Sequence, residues 1–155
     1  MPAGDRSVLI VEDDDLAADA VRDGLRLAGY AVCGVARSVD TAVAMVREHR
    51  PRLAVVDVDL GEGGNGIEAA RQALREAPIG IIYVTGRPEL VDRADVGHAW
   101  MPKPHRLVDL LNALAVVRAV SAQAPITGPV PDALTLLPQR PGGGRRSGPA
   151  GGANL

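Results

Sequence analysis

Short apolar runs alternate with helix-patterned segments from residue 7 to about residue 120, and that alternation leaves few architectures open. Val8-Leu9-Ile10-Val11, the stretch 31–36, Leu53-Ala54-Val55-Val56, the stretch 79–84 and a brief run near 98–101 are strand-sized and rich in β-branched residues. Val21, Leu25 and Ala28 share a helical face closed by Gly29, and Ser38 is an N-cap for a helix carrying Ala42, Met45 and Val46 before Pro51. Ile67, Ala70 and Leu74 mark a third helix. A short one is expected around 88–93, and Leu107, Leu110, Leu111, Leu114 and Val117 form the stripe of the last. Strands so interleaved with helices pair in parallel, with right-handed crossovers and helices on both faces.

The core must be aliphatic, because the chain has no Phe, one Trp and two Tyr. A formal net charge of −2 gives no electrostatic footprint for nucleic acid. No apolar stretch approaches the ~20 residues that cross a bilayer. The start, 1–7, lacks the apolar core of a signal peptide. Cys33 is the single cysteine, which excludes an internal disulfide and points to the cytoplasm; it reads as a small core residue. From Ser121 onward Gly and Pro dominate, so 121–155 is expected to be a disordered tail with no room for an output domain. Within it, the segment 132–137 is apolar enough to dock, although a greasy linker is the favoured reading.

In open parallel sheets, ligands bind beyond the carboxyl ends of the strands. Glu12 and Asp13, Asp57, Thr85 and Lys103 fall at those ends. A carboxylate can accept a phosphoryl group as a nucleophile if the crowded negative charge is neutralised. Asp57 and Asp13 on neighbouring strands would repel unless a cation intervenes. Mg²⁺ suits that need, since it takes a few carboxylate oxygens and leaves room for a phosphoryl oxygen. Lys103 would add a fixed positive charge and Thr85 a hydroxyl donor. Each residue alone has an ordinary structural explanation; their joint placement carries the reading.

Val8 to Asp14, Leu53 to Asp57, Ile82-Tyr83-Val84-Thr85-Gly86 and Lys103-Pro104 together resemble the receiver domain of bacterial two-component response regulators. The resemblance covers 7 to about 120, so residues 1–120 are assigned to that domain. It implies a flavodoxin-like, doubly wound, five-stranded parallel sheet in the order 2-1-3-4-5. It also implies that Glu12 and Asp13 are the acidic pair and that Asp57 is the phosphoacceptor. Glu12, Asp13, Asp57 and the backbone carbonyl of Asp59 would then hold Mg²⁺. Thr85 would be the switch hydroxyl, Trp100 the switch aromatic and Lys103 the phosphate-contacting cation, with Lys103–Pro104 cis. The donor would be a phosphohistidine on a sensor histidine kinase or a phosphotransfer protein. Output would be phosphorylation-dependent protein binding or phosphoryl relay from a stand-alone cytoplasmic domain. No activity is expected beyond its own phosphoryl acceptance and autodephosphorylation. A homodimer through the last helix and strand fits the resemblance.

Three features depart from that pattern. The stretch from Thr85 to Lys103 is short, which implies a truncated fourth helix on the face that most receivers use for dimers and output. The aromatic position holds a bulky Trp100. The loop 61–66 is long, Gly-rich and expected to be mobile. The wording Tyr-Val-Thr-Gly is similar to a receiver subgroup reading Phe-Ala-Thr-Gly. Asp59 and Arg87 stand where receivers tune phosphoryl lifetime, and would pair across the site mouth. Two alternatives accompany this reading: a pseudo-receiver that binds without phosphorylation, and, remotely, a haloacid-dehalogenase-type phosphatase suggested by Asp57-Val58-Asp59.

Overall fold

The computed structural model describes residues 4–139. Its strands are β1 (Ser7–Val11), β2 (Ala31–Ala36), β3 (Leu53–Asp57), β4 (Gly80–Thr85), β5 (Ala99–Pro102) and β6 (Thr135–Leu136). They form one sheet in the order β2-β1-β3-β4-β5-β6. The pairings from β2 through β5 are parallel, while β6 joins β5 antiparallel. The expected 2-1-3-4-5 order therefore holds, with a sixth strand added at the β5 edge.

The helices are α1 (Asp15–Leu27), α2 (Val39–His49), α3 (Gly66–Glu76) and α4 (Leu107–Ser121). Period-two alternation along the strands divides the core. Leu9, Val11, Ala54, Val56, Ile81 and Tyr83 pack with α2 and α3 residues such as Val46 and Ile67. Val8, Ile10, Val55, Ile82, Val84 and Met101 pack with Leu25 of α1 and Leu110 and Leu114 of α4. Strands β1, β3 and β4 are buried along their whole length, which explains their unbroken apolar wording.

Side chains start three of the helices. Asp14 Oδ1 accepts from the Ala17 N–H at 3.0 Å, Ser38 Oγ from Thr41 at 3.2 Å, and Asn65 Oδ1 from Ile67 at 2.7 Å. The fourth-helix position holds a 3₁₀ turn, Pro88–Arg93, and no α-helix. Cys33 is half-buried against the α2/α3 core, and burial pushes its thiol pKa up.

Residues 124–139, within the stretch expected to be a disordered tail, are described and lie against the domain. Apolar anchors 134 and 137 let the segment seat: Leu134 packs against the α1/α4 core and Leu137 against the α2/α3 core, with β6 between them. The Gly/Pro-rich remainder, 140–155, lies outside the described residues.

Candidate functional site

Register fixes which strand ends meet. Val11 lies beside Val56, Asp57 beside Val84, and Thr85 beside Pro102. One residue beyond these pairs the chain turns: Glu12 donates its N–H to Ala36 O at 2.9 Å and Lys103 donates to Thr85 O at 2.8 Å. The Lys103–Pro104 peptide is cis.

Glu12, Asp57 and Thr85 are buried polar residues. Lys103 Nζ lies 3.0 Å from Asp57 Oδ2 and 2.5 Å from Glu12 Oε1, and so bridges the two carboxylates. Burial, reinforced by the adjoining Asp57, pushes the Glu12 carboxyl up to about 7 against the pull of Lys103. For Lys103, burial works to lower its pKa, but the two carboxylates outweigh it and hold the ammonium above its ordinary value.

Glu12, Asp13 and Asp57 each offer a carboxylate oxygen, and these atoms lie within 4.8 Å of one another. Hard oxygen donors gathered this closely fit a small divalent cation, and one buried member whose proton is weakly held at neutral pH would release it to such an ion. The carboxylate of Asp59 is not part of that group. Its Oδ1 accepts from the Gly61 N–H at 2.9 Å, while its backbone N–H donates to Asp57 Oδ1 at 3.1 Å.

Thr85 Oγ1 accepts from the Arg87 N–H at 2.9 Å. The Arg87 side chain stands 3.7 Å from Asp59 Oδ2 and 3.2 Å from Glu89 Oε1, so it divides between two partners at the exposed mouth. Trp100 is half-buried against the α2/α3 core, with Tyr83 beside it on β4 and Thr135 beside it on β6.

The Gly-rich loop makes hydrogen bonds of its own. A 3₁₀ turn, Gly61–Gly63, is closed by Gly63 N–H to Leu60 O at 2.9 Å and Leu60 N–H to Gly64 O at 3.1 Å. Two glycines in this stretch are required by what lies opposite them. Gly61 adopts φ +57, and a Cβ there would stand 3.1 Å from Asp13 Oδ2. A Cβ on Gly66 would come within 1.9 Å of the Asp57 carbonyl, so only glycine lets α3 start against the acceptor strand. The signal was present in the run of glycines, but its meaning depended on which backbone lay opposite.

Beside Glu12 and Lys103 an apolar groove of about 400 Å³ opens between α1 and the β5–α4 loop, lined by Ile10, Ala17, Val21, Val84, Pro104 and His105. Burial holds the His105 pKa down. Its Nδ1 is the one buried side-chain polar atom without a hydrogen bond among the described residues.

Residues 8–114 match the response regulator receiver domain family. The transcriptional regulatory protein PdtaR of Mycobacterium tuberculosis is 35% identical over 135 residues, covering 84% of this chain and 64% of that protein. The phyllosphere-induced regulator PhyR of Methylorubrum extorquens is 36% identical over 86 residues, covering 53% of this chain and 31% of that protein. The chain thus spans less than two thirds of the length of these curated relatives. Among solved structures, a CheY-like receiver domain protein from Methanospirillum hungatei superposes with a TM-score of 0.67 at 25% identity, covering 76% of this chain and 97% of that one. The receiver domain of Erythrobacter litoralis PhyR gives 0.66 at 26%, covering 74% and 90%. Among the described residues no helix is long and apolar enough to cross a membrane. With the strand order, the acidic cluster and the bridging lysine at the strand ends, these likenesses show that the chain belongs to the receiver domain family of two-component response regulators.

Proposed function

We propose that this receiver accepts a phosphoryl group on Asp57 from a phosphohistidine of a sensor kinase or phosphotransfer protein in the cytoplasm, and passes the signal on by protein binding or relay. One observation carries the reading: Asp57 ends a fully buried strand with Lys103 Nζ at 3.0 Å and two further carboxylates close by. An Asp57 oxygen would attack phosphorus as the phosphorus–nitrogen bond of the donor breaks, and the donor imidazole leaves with the electron pair of that bond. Bound at Glu12, Asp13, Asp57 and the carbonyl of Asp59, Mg²⁺ would neutralise charge on the transferring group.

Lys103 holds the acceptor carboxylate in place and turns its ammonium to a phosphoryl oxygen once transfer has occurred. Thr85, bonded through Oγ1 to the Arg87 N–H, keeps its own hydroxyl hydrogen for donation to the same group. The apolar groove beside Lys103 offers a place for an apolar side chain of a protein donor. Asp59 and Arg87 limit water access and lengthen phosphoryl lifetime; an unchanged dephosphorylation rate after replacing both with Ala would dismiss that role. Trp100 serves as the switch aromatic through its place on β5. Turnover of a phosphate ester would favour the phosphatase alternative instead.

Borohydride trapping tests the acceptor. After incubation with acetyl phosphate and Mg²⁺, reduction should convert the side chain at position 57 alone to the corresponding alcohol, read by peptide mass mapping. Trapping at another carboxylate, with position 57 unmodified, would contradict the assignment.

A further inference from the structure

The edge of β5 is where the sheet would otherwise end, and an open edge invites another strand. This chain covers it with its own segment. Ala99 stands opposite Leu136 and Trp100 opposite Thr135. Leu137 donates its N–H to His98 O at 2.9 Å, and the Gln139 amide donates to Gly97 O at 3.1 Å. Leu134 and Leu137 grip the two core faces on either side of the edge, while Thr135 and Leu136 between them stay exposed.

The cover is slight. Parallel pairing with β4 spans four register pairs, whereas β6 contributes two. A two-residue strand with exposed side chains belongs to the part of a fold that opens locally before the rest. Position adds significance, because β5 runs from this covered edge straight into Lys103, whose ammonium bridges Glu12 and Asp57. The same short strand thus carries the covered edge and the lysine that faces the acceptor.

We propose that residues 131–139 are a displaceable strap that keeps the β5 edge closed to an extended peptide, and that phosphorylation of Asp57 loosens it. The occupant that replaces the strap is a partner segment of the same chemistry, an extended strand antiparallel to β5 with two apolar residues three apart. The strap itself displays that ligand, with main-chain bonds supplying adhesion and the two leucines supplying selectivity. The dependence on phosphorylation rests on the acceptor reading of Asp57.

The probe is a fluorescein-labelled peptide with the sequence of residues 131–139, titrated by anisotropy into the full chain. Three proteins are compared: the resting wild type, the wild type after acetyl phosphate and Mg²⁺ with one phosphoryl group verified by mass, and a Leu134→Asp, Leu137→Asp double variant. Leu137→Pro, which removes the N–H given to His98, is the second strap variant should the first fold poorly. The proposal expects a strap variant and the phosphorylated wild type each to bind the peptide at least tenfold more tightly than the resting protein. Amide exchange at Trp100 should rise in the same two states. Absence of peptide binding to a folded strap variant whose Trp100 amide exchanges freely would overturn the docking edge. Binding by the strap variant, with a phosphorylated wild type as closed as the resting one, would overturn the coupling. If no phosphoryl group is gained, the acceptor reading fails separately, and the variants still decide whether the edge is a docking site.

Discussion

The interior of the sheet and its β5 flank are built on different terms. Strands β1, β3 and β4 are buried on both faces, each flanked by neighbours that fix its register, and they deliver Glu12, Asp13, Asp57 and Thr85 to one edge. The flank has a four-residue β5 with alternating burial, a 3₁₀ turn in place of a helix, and a two-residue β6. Chemistry is placed on the over-determined half, while Lys103 alone arrives from the loosely held one. The difference teaches that one strand links a rigid acceptor to a compliant edge.

The sharpest way to break the comparison is to disturb the rigid half at its tightest point. Gly66→Ala should abolish phosphoryl acceptance and cost about 3 kcal/mol, because the new Cβ meets the Asp57 carbonyl that ends β3. Urea denaturation and intact mass after acetyl phosphate check both parts. A full phosphoryl gain would show that α3 can back away from Asp57 harmlessly.

Paired truncations sharpen the contrast. Ile82→Ala, at a fully buried site of β4, should cost about 2–5 kcal/mol. Leu136→Ala, on the exposed face of β6, should stay within about 0.5 kcal/mol. Equal costs in chemical denaturation would erase the distinction between the two regions.

A smaller effect concerns protons at the site. The Glu12 carboxyl, raised to about 7, binds a proton below that pH and must lose it to hold a cation. Affinity for Mg²⁺ should therefore fall as pH drops below 7, by up to about tenfold per unit for one coupled proton. Calorimetry in buffers of different ionisation enthalpy should detect proton release near pH 6.5. Glu12→Gln should flatten the dependence.

The smallest effect belongs to the flank. His98 Nδ1 accepts the Ile81 N–H at 2.9 Å, and burial holds its pKa below the ordinary 6.5. With the folded pKa depressed, the unfolded chain binds the proton first. Its contribution to stability is thus full above 6.5 and lost as pH falls below it. The protection factor of the Ile81 amide, corrected for intrinsic exchange, should fall over that range in the wild type and change less in His98→Gln.

The same contrast explains what the sequence reveals. Continuous apolar wording marks β1, β3 and β4 because burial on both faces admits little else, and the strand-end rule then locates Glu12, Asp13, Asp57, Thr85 and Lys103. Ser38 is legible as a cap because capping is local. The β6 strap is legible only in part: the apolar wording of 132–137 shows that it can dock, but Leu134 and Leu137 sit among prolines and find their place only against an edge left open far away in sequence. The requirement for glycine at 66 is hidden for a similar reason: it arises from the approach of another backbone, which no local pattern records.

The central claim is that Asp57 is a Mg²⁺-dependent phosphoacceptor, and intact mass after incubation with acetyl phosphate tests it most directly. The wild type should gain one phosphoryl group with Mg²⁺ and none when the metal is chelated, and Asp57→Asn should gain none. An equal gain in Asp57→Asn, or no gain in a wild type shown to bind Mg²⁺, would contradict it.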